Sequence, residues 1–547
     1  MKKIIYNILC FLTLAIFATV IAQQKTHFIE LKKLNGETHE AKKPELNFDN
    51  YKTAKWQNDT ENHLRYNFGF REILIRFYNQ YLWDFYRKTY SNEVTIGKDN
   101  WLYFTYSVNE FYGNEMYRWC DSNEAAINKF ERQVKILNKL RGVLKSYDID
   151  FMIFTSPEKS TSYPEFLPEW DYDTTTIHAY DYYRDAFAET GFPYLDMHSM
   201  FQNIQDTIDF PIIPQASAHW VFPAAYAGDS LFRFMAQLKG INMPHVKFGG
   251  RCENSQETKN VIHDLEFGLN LMRPIELYPY DYHEREVSVV ADSNSLKTNG
   301  IFIGNSYFRA FNQYIPLEEI FSDVRYWFYN KTEQYGPKLM KSQPITQVDI
   351  LQRIMNADFI VFFNEPSQMY KISYGFAEKA LIKLCVSDSL WDAEVRHHME
   401  TDNYTKDEAE WLLRNNPLLI KGLDTEGVPT IRNERGIKIA KAMNKIENDG
   451  EWMKLLDIQS TLRNEDISRI LKTEAENIVD GRPLMRNEQI NDSILFQFEI
   501  QKYIEEFKQS PEKMKMIENK AKENGKTLEE MMRLDAIWII KNKNQTK

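Results

Sequence analysis

Apolar residues are distributed along this chain in sharply different ways. Behind Met1-Lys2-Lys3, the segment from Ile4 to Ala22 is an apolar run broken only by the polar residues Asn7, Thr13 and Thr19. It reads as an export segment, either a signal peptide cleaved after Val20-Ile21-Ala22 or a retained membrane anchor. Residues 23 to about 60 are rich in Lys, Asn, Glu and Thr without periodicity, which predicts a spacer. Between Leu64 and Tyr86, Phe70, Ile73, Phe77, Tyr81 and Trp83 recur near helical spacing and predict one amphipathic helix. Two β-prone runs from Val94 to Phe104, around Gly97-Lys98-Asp99-Asn100, predict a hairpin.

Apolar positions at 127, 130, 134, 137, 140 and 144 describe a helix face, with Gly142 and Ser146-Tyr147-Asp148 as its stop signals. Short apolar runs follow at Ile149–Thr155 and Tyr194–Asp196, separated by a helical pattern over 179–190. Further runs at Ile301–Gly304 and Asp358–Glu365 end in polar residues. Strand, helix and strand at these lengths predict an α/β protein with a mostly parallel sheet. Pro223 opens a helix carrying Tyr226, Leu231, Phe234 and Leu238, which leaves His219 on the loop before it.

Past residue 390 the pattern is helical throughout. Ile439, Met443, Leu456, Ile467, Leu471, Ala475 and Ile478 reappear 61 positions later as Ile500, Ile504, Ile517, Leu528, Met532, Ala536 and Ile539, which predicts two helical hairpins of one kind. Thr527-Leu528-Glu529-Glu530 is a capping box and Ser510-Pro511-Glu512 a second helix start. The expected organisation is an export segment over 1–22, a spacer and helical lead-in over 23–92, an α/β domain over 93–390, and a helical domain over 391–547. The last is an interaction or packing module, open to a protein partner.

The length of 547 residues suits such a division, and 43% hydrophobic with 27% charged residues is globular. A formal charge of -11 disfavours non-specific nucleic-acid binding. Outside the export segment only Cys120, Cys252 and Cys385 remain, which allows one disulfide at most. No zinc-type cluster and no phosphate-cradling glycine loop is present, so no cofactor is indicated.

The chemistry that stands out is a hydroxyl just past a strand. Gly304-Asn305-Ser306 places Ser306 where a nucleophile sits at the C-terminal edge of an α/β sheet. A serine needs a base, itself oriented by a carboxylate. His219 is the candidate base. His198, in Asp196-Met197-His198, and the pair His397-His398 are decoys. Asn364-Glu365 either supplies an amide donor or simply ends a strand.

In order along the chain, the segments Val94 to Tyr103, Ser156 to Pro164, Ala218-His219-Trp220 and Gly304-Asn305-Ser306 resemble the alginate O-acetyltransferase (AlgJ/AlgX-like) branch of the SGNH-hydrolase-like proteins. The resemblance covers about residues 60 to 370. It implies a three-layer α/β/α SGNH-like domain in a periplasmic or secreted enzyme that moves acetyl groups onto hydroxyls of an exported polysaccharide. A membrane-bound O-acyltransferase would be the acetyl donor. Carried over by motif, Ser306 is the nucleophile and His219 the general base. For the oxyanion, the candidates read from the residues themselves are backbone N–H groups near Gly304 to Ser306 and the Asn305 or Asn364 amide. The family's Asp-Thr-His-Trp is Ser217-Ala218-His219-Trp220 here, so the acid is missing at 217. An acid from elsewhere, a Ser-His dyad, or loss of activity each fit the sequence. Accordingly an acetyl esterase, and a catalytically silent glycan-binding or assembly protein, stand beside the transferase.

Overall fold

The computed structural model describes residues 2–36 and 43–545; the part of the expected spacer at 37–42 lies outside them. The apolar run forms one helix, Lys2–Thr26, of which Ile4–Thr26 is long and apolar enough to cross a membrane. The expected single helix over 64–86 is two, Lys55–Tyr66 and Arg71–Tyr86. The break has a packing cause. A Cβ on Gly69 would collide with Val20 O, so the turn is held open where the apolar helix lies against it. Of the apolar positions read from the period, Trp83 is buried and Phe77 faces outward.

Strands β1 (Val94–Ile96) and β2 (Leu102–Phe104) form the expected antiparallel hairpin. The central sheet is built from β3 (Asp150–Thr155) and β4 (Tyr194–Asp196), then β7 (Thr298–Gly304), β8 (Phe321–Phe328), β9 (Thr332–Tyr335), β10 (Lys341–Pro344) and β11 (Phe359–Asn364). Between them, β5 (His245–Cys252) and β6 (Glu284–Val290) make a separate antiparallel pair. The order in the sheet is β10-β9-β8-β7-β11-β3-β4, parallel from β8 to β4 and antiparallel at β9 and β10. The strands β3 and β11 are buried on both faces, which is why they read as continuous apolar runs.

One face of the sheet is covered by helices Asn123–Lys145, Ala179–Thr190, Ile350–Asn356 and Phe376–Cys385, and the other by Pro223–Lys239 and Arg309–Tyr314. This is a three-layer α/β/α domain. Ser122 caps the first of these helices on Ala125 N, and Gly191 in the left-handed region closes the second. Gly142 does not end its helix, which runs to Lys145; a Cβ there would collide with Val428, so the glycine admits a neighbouring segment. All four cysteines are free thiols.

The compositional boundary at 390 is not the packing boundary. Val395, Ala409, Leu413, Ile420, Leu423, Ile437 and Ala440 join the core beneath the sheet, while Ile439, Met443 and Ile446 open a second core. Helix Glu434–Glu447 therefore belongs to both, and the Lys- and Glu-rich outer faces of the preceding helices had hidden their buried stripe. The repeat is real but larger than a hairpin. Helices Glu434–Glu447, Gly450–Arg463 and Ile467–Asp480 form one unit, and Glu488–Gln509, Pro511–Glu523 and Leu528–Gln545 the next. Each residue of the seven pairs matches its counterpart in burial. The Thr527–Glu530 capping box makes both of its hydrogen bonds.

Candidate active site

The site is assembled where β7 leaves the sheet between β8 and β11. A Cβ on Gly304 would collide with Phe363 O, so only glycine lets the chain turn this close to β11. The turn is then fixed by Asn305, whose N–H donates to Phe363 O at 3.4 Å and whose Oδ1 accepts from Tyr307 N at 3.2 Å. Tyr326 donates its hydroxyl to Asn305 O. Ser306 begins a single 3-10 turn and is half-buried.

His219 arrives from the loop before Pro223–Lys239, and its two neighbours are laced to the serine turn. Tyr307 donates its hydroxyl to Ala218 O at 2.6 Å, and Trp220 Nε1 donates to Tyr307 O at 3.1 Å. Because these bonds flank His219 and reach the residue after Ser306, the His219 and Ser306 side chains are fixed relative to each other. His219 Nε2 lies 2.6 Å from Ser306 Oγ.

The acid missing at 217 is supplied by Asp264, at the start of helix Asp264–Leu269. Its Oδ2 hydrogen-bonds His219 Nδ1, and its Oδ1 accepts from Ala218 N at 2.8 Å. The helix start is itself pinned, with Leu265 N and Glu266 N both donating to Ala216 O. Burial pushes the imidazole pKa down, but the Asp264 charge and hydrogen bond outweigh it and leave His219 above its ordinary value. Ser217 plays a local part, accepting from His219 N and donating to His219 O, both at 2.9 Å.

Beneath the loop, Lys159 is buried with Nζ against Leu102 O (2.6 Å), Pro214 O (2.7 Å), Gln215 O (2.8 Å) and Ser217 O (2.7 Å). The rings of Trp101 and Tyr103 lie over it at 5.0 and 5.2 Å. One ammonium thus ties the β1–β2 hairpin to the histidine loop, and its burial depresses its pKa well below the usual range. Neither the Lys159 nor the Asp264 role has a local sequence signal, since both are defined by contacts 45 or more positions away.

The remaining sequence candidates separate. Asn364 is buried and gives one Nδ2 hydrogen bond to Ile372 O at 3.1 Å. Asn305 keeps a buried Nδ2 that faces Glu365 without a hydrogen bond of normal length. His198 is buried beside Thr161, and burial lowers its pKa to about 4; Asp196 instead caps the following helix on Ser199 N. His398 pairs with Asp402 in helix Asp388–Thr401, far along the chain from the site.

Glu365, at the end of β11, is a charged group next to the base that the sequence singled out only as a strand end. It is buried, takes a hydrogen bond from Tyr106 OH at 2.8 Å, and has its pKa lifted by burial to about 7 against the opposing pull of that bond and of His219. A carboxyl whose folded value lies above its ordinary 4.5 contributes stability that is full below that pH and is lost as pH rises through about 7. Thermal melts at about pH 5 and pH 8 should therefore show a steeper fall for wild type than for Glu365→Gln. Equal falls would remove Glu365 as its source.

Fold and site together define a class: an α/β/α protein with serine, histidine and aspartate in hydrogen-bonded series at the C-terminal edge of its sheet. No family model and no curated protein matches the chain. Among solved structures it is similar to the O-acetyltransferase domain of Pseudomonas putida AlgJ, at 14% identity and a TM-score of 0.32, over 51% of this chain and 92% of that one. It is also similar to Bacillus cereus PatB1 (12%, 0.28, over 51% and 99%) and Pseudomonas aeruginosa AlgX (13%, 0.32, over 54% and 67%).

Proposed function

We propose that this chain is an O-acetyltransferase that carries an acetyl group on Ser306 and delivers it to hydroxyls of an exported polysaccharide. The observation that supports this most directly is the Ser306 Oγ to His219 Nε2 distance of 2.6 Å with Asp264 on the far side of the ring. In the first half-reaction Ser306 Oγ attacks the carbonyl carbon of an acetyl donor as His219 Nε2 takes its proton. The imidazolium, stabilised by Asp264, gives that proton to the leaving group, and an acetyl ester forms on Ser306. In the second, His219 takes the proton of a sugar hydroxyl, whose oxygen attacks the same carbonyl, and returns it to Ser306 Oγ as the ester bond breaks. The backbone N–H of Ser306 is the oxyanion donor in this reading, since that of Tyr307 is given to Asn305 Oδ1.

The presence of Asp264 argues against the catalytically silent alternative, since an inactive relic has no need of a half-buried acid bonded to the histidine. Export by way of helix Lys2–Thr26, and an acetyl supply from a membrane-bound O-acyltransferase, belong to the same proposal. Incubating the exported chain with a small activated acetyl ester should acetylate Ser306, seen by peptide mass spectrometry. Adding oligosaccharide should then move the label to sugar faster than water releases it as acetate. Free acetate as the sole product, whatever acceptor is present, would make the protein an esterase. No adduct on folded protein would end the proposal.

A further inference from the structure

A second concavity lies on the other layer of the same sheet edge. A cleft of about 1310 Å³ opens where the loops after β8 and β11 meet helices Asn123–Lys145, Phe376–Cys385, Asp388–Thr401 and Lys406–Asn415. It borders the site directly. Tyr329, in its wall, donates its N–H to Gly304 O at 2.8 Å, two residues from Ser306, and its ring meets Tyr374 at 5.5 Å.

The lining is cationic in a chain whose net charge is -11. Lys129, Arg132, Lys331, Lys371, Lys379 and Lys383 all line the cleft, and among the described residues none of them makes an ion pair with a carboxylate. Among the described residues the only acids in the lining are Glu378 and Asp388. Glu378 is occupied by Ser373 Oγ at 2.9 Å. Lys379 is held below the usual lysine range by burial first and then by the neighbouring cations Lys383 and Arg414, and Lys129 by burial first, with Cys120 and Glu378 pulling against Arg132 and Lys371. An ordinary solvated face intersperses both signs and relieves this repulsion. Here Glu378 and Asp388 are outnumbered by seven cations, a surplus that an anion from outside would offset.

Aromatic surfaces accompany the charge. Trp411 is 67% exposed, Trp391 carries the Arg414 guanidinium over its ring, and Tyr370 stacks on Trp119 at 5.0 Å with Lys371 above it. Flat apolar faces between point cations suit a ligand with apolar ring faces and repeated negative charges.

We propose that this cleft is the docking site for the acceptor, an anionic glycan whose sugar faces rest on Trp411 and Trp391 while its charged groups meet the lysines. The chain then crosses the sheet edge at Tyr329 and presents a hydroxyl to Ser306. This deepens the acetyl-transfer reading and rests on it for the acceptor role.

The test is titration calorimetry on the full Ser306→Ala chain at low salt, so that no turnover enters. Oligogalacturonate probes carboxylates, a sulfated dextran oligomer probes sulfates, and cello-oligosaccharide is the neutral control. One or both anionic probes should bind at least about tenfold more tightly than the neutral one, with affinity falling as salt is added. The charged probe that binds identifies the anionic group recognised. Lys379→Gln/Lys383→Gln, and separately the exposed Trp411→Ala, should each weaken that binding by about tenfold at an unchanged melting temperature. Equal binding of the neutral probe, no binding of either charged one, or unchanged binding in both variants would overturn the proposal. If wild type instead fails to acylate Ser306 while the glycan still binds, the transfer reading falls and the cleft stands.

Discussion

Ser306→Ala should reduce acylation by an activated acetyl ester to background, a fall of about six orders of magnitude if this site behaves as other serine triads do. His219→Ala should do nearly the same, and the double variant should be no worse than either alone, because nucleophile and base act as one unit. Neither change is expected to unfold the protein. Ser306 is half-buried on a turn held by Asn305, Tyr307 and Tyr326, and the histidine loop is anchored by Trp220 and Lys159 rather than by the imidazole. The measurement is the rate of ester cleavage beside a thermal melt. Residual activity within about a hundredfold of wild type, on folded protein, would mean that another group carries the chemistry.

Much of the fold was legible because the sheet announces itself. The stretches 151–154 and 359–363, buried on both faces of the sheet, are apolar at every residue, and Ser306 and His219 could be named from their position just past a strand and just before a helix. What the sequence hid was whatever depends on contacts distant along the chain. The break at Gly69 answers to Val20, and the position of Gly142 answers to Val428. The core beneath the sheet takes Leu413 and Ile437 from helices whose exposed faces are polar enough to look like a separate domain. The repeat was found by spacing, but the middle helix of each unit contributes only Leu456 and Ile517 to the matched set, too few to reveal a third helix. The acid is the sharpest case. Two positions before His219 the chain holds a serine, and the carboxylate that replaces it comes from 45 residues downstream.

That replacement makes Asp264→Asn the sharper test of mechanism. Removing the carboxylate charge leaves His219 free to adopt the wrong tautomer and leaves the imidazolium unsupported, which in a serine triad costs about four orders of magnitude in rate, or about 5 kcal/mol of barrier. The backbone around His219 should persist, because Ala218 N can still donate to the amide oxygen that Asp264→Asn retains, and Lys159 still holds the loop. The pH profile separates this from a merely structural loss. Asp264 raises the His219 pKa, and the neutral imidazole is the active base, so wild-type activity rises with pH through that raised value. In Asp264→Asn the acidic limb should move to lower pH even as the plateau falls, since the base is then easier to deprotonate. Ser217→Ala, by contrast, removes only hydrogen bonds to the His219 backbone and should cost no more than about tenfold. If the two variants were equally damaging, or if the acidic limb of Asp264→Asn did not move, Asp264 would be a brace for the loop and the serine would be working with histidine alone.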